Sequence, residues 1–421
     1  MMRIATYAMM AALMLLTTAC HKDKHKDDVS IASLSVLVYV AGDNNLDKSY
    51  WDYDRNEYIN FVNEDLNEII EGSREMKEGM NLLLFVDRQN ELPYILHVAK
   101  GDTTRVYTCP QELKSSDAST LQMAMKWMMD NYEAKSYGLA LWGHSDGWTI
   151  YKGRALGGPR KAYGQDISGG TTWMEIPDMA DALEQVCKDQ PLRFIFADCC
   201  SFLSVESAYE LRHCVDYIIG SAAEIPGKGA PYNTVIPALF SERSDFYEQV
   251  ADAYYAQTAD GYKEPMAVIK TSALDDLAAA TKAALTQSLR PLSSGTDAYP
   301  AVDSLIYYYN QCLHDMNDFM LRNTPAEVYA QWKRSLDAAV PYKLMATVWM
   351  SDNHVPYLNF AGTTFRDFEV TEERYSGVSM YVAQELTKLS SVRYQTYYQR
   401  QQKNISRMEW YKAAGLDELE W

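Results

Sequence analysis

Two vicinal thiols, Cys199 and Cys200, and the imidazole of His144 are the side chains in this sequence best suited to do chemistry. A thiol becomes a strong nucleophile at neutral pH when a base stands beside it. A cysteine brought to a histidine therefore implies attack on a carbonyl, with the histidine managing the proton. Asp198 adds a carboxylate two residues before Cys200. Each of these groups follows an apolar run. Phe194 to Ala197 reads as a short buried strand ending at Asp198, and Gly138 to Trp142 as another ending at Gly143 and His144, with Asp146 and Gly147 as turn formers. In an open parallel sheet, active sites are built outside the carboxyl ends of the strands. Phe202, Val205 and Tyr209 continue at helical spacing, which puts both cysteines in a strand-to-helix turn, where the positive end of the helix dipole favours thiolate. The bland alternative is that Cys199 and Cys200 are small buried hydrophobes. Two strands that each end in one half of a Cys and His pair favour the dyad.

Trp142, His144, Gly147 and Trp148, taken with Asp198, Cys199 and Cys200, resemble the clostripain family of cysteine peptidases, a branch of the caspase-like proteases. There, a strand ending in Trp-x-His-x-x-Gly-Trp carries the base, and a later strand ending in Asp-x-Cys carries the nucleophile. The run VLVYVAGDNNLD, Val36 to Asp47, resembles the family's first strand and its Ala-x-Asp-Asn-Asn-Leu turn. The segment Asp65 to Glu68, the run EIPGKGAPY from Glu224 to Tyr232, and WYKAAG at Trp410 to Gly415 also match, in the family's order.

The resemblance implies that His144 is the base and that Cys200, which holds the Asp-x-Cys position, is the nucleophile; Cys199 stands where a small residue is expected. It also implies that Asp198 receives an Arg or Lys side chain of the substrate, through a charge-assisted contact that a carboxylate there is able to make. The plainer role for Asp198 is to cap the helix after the strand. Backbone N–H groups near Gly143 or Cys200 would hold the oxyanion. Members of the family are often activated by cleavage between the two strands, where this chain offers Lys152, Arg154, Arg160 and Lys161. Some bind calcium. The sequence requires no cofactor, contains no EF-hand loop, and names no metal ligands.

Two rivals use the same residues. Gly143, Ser145 and Gly147 satisfy G-x-S-x-G, the nucleophile elbow of serine hydrolases, but the elbow must lead straight into a helix, and Trp148 to Gly158 is glycine-rich and non-periodic. It would also leave Asp198 to Cys200 unexplained. The other rival is a surface lipoprotein that keeps the fold for binding, without catalysis.

The elements that must position these groups begin after an export signal. Arg3 supplies a positive start, Ala8 to Leu16 an apolar core too short to span a bilayer, and Thr17 to Cys20 a small-residue site ending in cysteine. This reads as a lipoprotein signal over residues 1–19, with Cys20 lipidated and residues 20–32, rich in Lys and Asp, as a tether. A plain secretory signal cleaved near Ala19 is the alternative. The expected location is the cell envelope, lipid-anchored. A net charge of -18 argues against a nucleic-acid partner; the expected partners are peptides or proteins, and the expected state is a monomer. Beyond Cys20, Cys109, Cys187, Cys199, Cys200, Cys214 and Cys312 form neither a CxxC metal pattern nor a disulfide framework.

From residue 33 strands alternate with helices: strands at Leu34 to Val40, Asn81 to Asp87 and Ala267 to Lys270, a hairpin turning at Gly101 and Asp102, and helices at Thr120 to Asn131, Pro177 to Lys188 and onward from Ser272. Thr149 to Thr172 reads as a long exposed loop. Alternation of this kind predicts an α/β fold, a mostly parallel sheet sandwiched by helices, which the resemblance makes caspase-like. Residues 33–290 are the expected catalytic domain. Residues 291–421, rich in tyrosine, read as a mainly helical C-terminal domain that helps complete the substrate cleft, with helices at Asp303 to Met320, at Thr324 to Val340 and from about Leu389, and a strand at Val378 to Val382.

Overall fold

The computed structural model describes residues 31–52, 55–148, 163–188, 190–256, 263–308, 313–347, 349, 368–389 and 392–421. The signal segment, Cys20, the tether as far as residue 30, Lys152, Arg154, Arg160, Lys161 and Cys312 lie outside them. Residues Ala32–Trp421 form one compact unit.

Its centre is a nine-stranded sheet of β1 (Leu34–Gly42), β2 (Met80–Arg88), β3 (Glu91–Ala99), β4 (Asp102–Thr108), β5 (Tyr137–Trp142), β6 (Leu192–Asp198), β7 (Val215–Gly220), β8 (Met266–Lys270) and β9 (Tyr342–Leu344), in the order β9-β8-β7-β6-β5-β1-β2-β3-β4. The five middle strands are parallel, and the two at each edge run antiparallel. This is the mostly parallel sheet expected from the sequence. All nine residues of β1 are buried, because a parallel strand covered on both faces has no solvent side, and its sequence is accordingly apolar apart from Ser35 and the Tyr39 hydroxyl. Leu37, Tyr39 and Ala41 enter one core, and Val36, Val38 and Val40 the other.

The helices of this body are α1 (Phe61–Gly72), α2 (Ala118–Asn131), α3 (Ile176–Val186), α4 (Val205–Glu210), α5 (Tyr232–Leu239), α6 (Phe246–Ala256) and α7 (Leu274–Ser288). α1, α5 and α6 cover one face; α2, α3, α4 and α7 cover the other. α3 opens with Pro177 in its first turn, where the missing N–H costs nothing.

Four expectations are corrected. The helix after the cysteines does not start at them: Ser201 N–H bonds Ala223 O (2.8 Å) and Leu203 N–H bonds Ser221 O (3.0 Å), so the chain runs beside the exit of β7 before Ser204 caps α4 at Val205. Within the expected long loop, Tyr163–Asp166 pairs with Thr172–Met174, and Tyr163 is fully buried, its hydroxyl donating toward Tyr39 O and Trp142 O. The helix expected onward from Ser272 begins at Leu274; Thr271–Ala273 form a 3-10 turn before α7. Among the described residues of Asp303 to Met320 only those from Met316 are helical, in α8 (Met316–Asn323), because Tyr308 N–H bonds Leu313 O and Asp315 N–H bonds Ile306 O.

Beyond residue 291 follow α8, α9 (Ala326–Ala339), the edge strand β9, α10 (Val392–Asn404) and α11 (Glu409–Ala413). This stretch closes on the segment after Cys200. Ser379 N–H bonds Leu203 O (3.1 Å), Tyr381 N–H bonds the buried Glu206 carboxylate (2.7 Å), and Trp410 packs edge-on against Tyr209.

Candidate active site

β5 and β6 pair in parallel with Trp142 opposite Asp198, so Gly143-His144 and Cys199-Cys200 leave the sheet side by side, from strands ~4.8 Å apart. Gly143 makes the first turn at φ +142°; a Cβ there would lie 3.0 Å from Ala41 O. Its N–H is directed at Asp198 O, 3.4 Å away. The two strand ends open into a cavity of about 550 Å³ whose lining includes Asn45, His144, Asp198, Cys200 and Glu224. The sequence-predicted His144, Cys200, Asp198 and Gly143 are thus brought together on one wall.

The two thiols differ. Cys199 is fully buried and belongs to the core on the α2, α3 and α4 face. Cys200 is half-buried and reaches the cavity. Its Sγ accepts from Ile225 N–H (3.4 Å) and donates to Ile225 O (3.8 Å). Burial, with the negative charge of Glu224 adding to it, holds the thiol well above the ordinary cysteine range. The expectation of a dipole-lowered thiol is therefore corrected: α4 begins only at Val205 and has six residues, and no helix amino terminus starts at Cys200.

His144 Nε2 lies 2.9 Å from Asn45 Oδ1, and its ring sits 6.3 Å from that of Trp173. Ser145 Oγ accepts from Gly147 N–H (3.2 Å), a bond that stabilises the turn.

Asp198 is buried. Its Oδ2 accepts from Ala230 N–H (3.0 Å), and the buried Tyr232 hydroxyl faces the same carboxylate. Burial pushes its carboxyl up to about 6. It does not cap a helix. Asp65 of α1 stands behind it, accepting a bond from Trp142 Nε1, with its carboxyl raised by burial and then by the charge of Asp198. Gly229, at φ +59°, leaves room for both: a Cβ would meet Asp198 Oδ2 at 2.8 Å and Asp65 Oδ2 at 3.2 Å. Among the described residues lining the cavity there is no Lys or Arg, while Asp146, Asp198 and Glu224 are acidic. A cationic group is the complement of this surface.

Sequence reasoning passed over Asn45, Asp65 and Ile225 individually. All three lie in stretches that carried the family resemblance, but a single sequence gives no sign that a backbone amide at Ile225 meets a thiol 25 residues away. No residue beyond 229 lines the cavity among those described; the C-terminal half braces the site from behind, where Tyr397 Oη bonds Asp146 O (3.3 Å) and Tyr381 packs edge-on against Trp148. Among the described residues, no three His, Cys, Asp or Glu side chains converge to hold a metal ion.

Comparison with known proteins agrees with this geometry. A model of the clostripain family, Peptidase C11, matches residues 38–421. Among solved structures, the chain is similar to a secreted C11 cysteine protease of Bacteroides thetaiotaomicron in complex with an irreversible peptide inhibitor, at 30% identity and TM-score 0.68, over 92% of this chain and 99% of that one. It is similar to an inactive zymogen C11 protease of Parabacteroides distasonis at 28% identity and TM-score 0.68, over 91% and 99%. A search of curated proteins finds no match.

Proposed function

The chain belongs to the clostripain family of cysteine peptidases, with proteins or peptides as substrates, and we propose that it cleaves after Arg or Lys using Cys200 as nucleophile and His144 as base. The observation that carries the specificity is the buried Asp198 carboxylate beside a cavity that no Lys or Arg lines among the described residues. A guanidinium or ammonium of the substrate would supply the missing positive charge by a charge-assisted bond.

His144 takes the Sγ proton as the sulfur attacks the scissile carbonyl carbon. The carbonyl oxygen becomes an oxyanion held by backbone N–H groups of the Gly143 turn and of Cys200. Collapse breaks the C–N bond, and His144 returns the proton to the leaving amine. Water, deprotonated by His144, then hydrolyses the thioester and restores the thiol. Because the free thiol is protonated and bonded to Ile225, ionisation belongs to the activated or substrate-bound enzyme. Cleavage at Lys152, Arg154, Arg160 or Lys161 is the proposed activation. Calcium stays an allowed ligand by the family resemblance; a rate that falls in EGTA and returns with added calcium would reveal it.

The proposal extends to export through the signal at residues 1–19, as with the secreted relative, and to anchoring by lipid on Cys20. Among the described residues no helix is long and apolar enough to cross a membrane. Every catalytic group named comes from one chain, so the monomer is the proposed active state.

The deciding experiment is turnover of fluorogenic peptides with Arg, Lys, Leu or Asp before the scissile bond, by the parent, Cys200→Ala and Ser145→Ala. Arg and Lys cleavage lost only in Cys200→Ala is expected. Loss only in Ser145→Ala would move the chemistry to the G-x-S-x-G elbow, and no turnover after processing would leave a binding lipoprotein.

A further inference from the structure

We propose that Asn45 is a positioning residue for the base: it holds His144 as the Nε2–H tautomer and so presents the lone pair of Nδ1 to the thiol proton. The inference rests on the Cys200 and His144 reading above. The tautomer follows from counting hydrogens. The Tyr50 hydroxyl donates its single hydrogen to Asn45 O (2.7 Å), so toward the Asn45 side chain it acts as acceptor. The carboxamide atom facing Tyr50, at 3.1 Å, is therefore the NH2 group. The atom facing His144 at 2.9 Å is then Oδ1, which only accepts, and Nε2 must carry the hydrogen. A neutral imidazole has one N–H, so Nδ1 keeps the lone pair. Once Nδ1 takes the thiol proton, the carbonyl dipole of Asn45 favours the imidazolium that forms.

Asn45 is itself exposed, and is able to do this because its neighbours in the turn are anchored. Asn44, fully buried, donates to Ala41 O and Gln165 O (both 2.8 Å) and accepts from Leu46 N–H (2.9 Å). Asp47 pairs with Arg88 (2.6 Å) and accepts from Gln89 N–H (3.1 Å). Tyr50 stacks on Phe61 with ring centres 4.9 Å apart, which holds its hydroxyl beneath the amide. Besides Tyr50, the other titratable groups that share the cavity with His144 are Asp146, Asp198, Cys200 and Glu224, and the Asn45 and Tyr50 variants leave them unchanged.

The test uses the full chain carrying Asn45→Ala, Asn45→Asp or Tyr50→Phe, with Cys200→Ala and His144→Ala as references. kcat and KM are measured on an Arg peptide across pH, with the rate of Cys200 alkylation by iodoacetamide as a second readout. Asn45→Ala is expected to lower kcat roughly 10- to 100-fold with KM little changed, a fraction of the ~10²- to 10⁴-fold that a positioned proton acceptor supplies. Asn45→Asp should recover part of that loss and move the acidic limb of the profile up by about one pH unit, because a carboxylate beside an imidazole favours its charged form and the base acts only when neutral. Tyr50→Phe, which keeps the ring stack and releases the amide, should fall between them; it and Asn45→Asp decide the matter if Asn45→Ala does not fold. If the two inactive references confirm the dyad but Asn45→Asp leaves the acidic limb unmoved and Tyr50→Phe keeps the parent kcat, Asn45 has no positioning role. An active His144→Ala would remove the dyad, and this inference with it.

Discussion

Asp198→Asn separates charge from shape at the site that reads the substrate. Asparagine is isosteric, and its Oδ1 can take the Ala230 N–H bond while Nδ2 replaces the other oxygen. What is lost is the negative charge. Leaving a buried guanidinium unpaired costs about 3–5 kcal/mol, and each 1.4 kcal/mol is about tenfold, so kcat/KM on an Arg peptide should fall by roughly 10²- to 10³-fold. The same peptide with citrulline, which keeps the shape of Arg without its charge, should be little affected. Stability should move the other way. Burial raises this carboxyl from 3.8 to about 6, so ionising it in the folded chain costs about 3 kcal/mol at about 1.36 kcal/mol per pH unit. Because the folded value lies above the unfolded one, that cost is absent below about pH 4, grows between the two values, and is complete above pH 6. Asp198→Asn should therefore melt a few degrees higher than the parent at pH 8 and at the same temperature near pH 4. Turnover of Arg and citrulline peptides and calorimetry at the two pH values check both halves. A variant that still prefers Arg to citrulline as strongly as the parent would refute the argument that this carboxylate reads the cation.

The pH dependence of the parent gives a related expectation: kcat/KM on Arg peptides should fall as pH drops through about 6, where Asp198 takes up a proton, and citrulline peptides should lack that component. Cys199→Ala should keep catalysis and lose stability, since Cys199 is fully buried in the core, whereas Cys200→Ala should be inactive with an unchanged melting temperature. Gly229→Ala should impair Arg cleavage and lower stability by about 1–2 kcal/mol, because a side chain at φ +59° is strained and its Cβ would press on Asp198; circular dichroism melts and kcat/KM measure the two effects. Gln in place of Lys152, Arg154, Arg160 and Lys161 together should leave the chain uncut on a denaturing gel, and an uncut, fully active protein would remove processing from the mechanism.

The parts of the fold that were legible are those whose sequence signal is local. β5 and β6 are buried on both faces, so each reads as an unbroken apolar run, and their polar termini mark the point where the sheet stops and the cavity begins. The parts that were misread depend on distant partners. Phe202, Val205 and Tyr209 have helical spacing, but the amides of Ser201 and Leu203 are claimed by Ala223 O and Ser221 O, which holds this stretch extended until Ser204. In the same way Ile306 N–H is claimed by Asp318, whose carboxylate also pairs with Arg374, and among the described residues the helix expected from Asp303 begins at Met316. Asn45 was visible as a motif residue; its bond to His144 spans 99 positions and depends on a Tyr50 hydroxyl that no local pattern announces.

The C-terminal half, which carries no chemistry of its own, follows from the same reasoning. Catalysis needs the turn Gly143 to Asp146 and the segment after Cys200 to stay fixed relative to each other, yet both are loops beyond the sheet, where strand pairing no longer helps. Tyr397 holds the first through Asp146 O, and Ser379 and Tyr381 hold the second through Leu203 O and Glu206. Tyr381 stacks on Tyr398, one residue from Tyr397, which ties the two anchors together. Glu206 is fully buried and its carboxyl is pushed up to about 7 by burial, so above that pH the Tyr381 amide faces a carboxylate and below it a neutral acid. The clamp binds its anion by a backbone N–H at 2.7 Å, and the two loops are thereby referred to one rigid body on the side of the sheet away from Asp198, the proposed reader of the substrate.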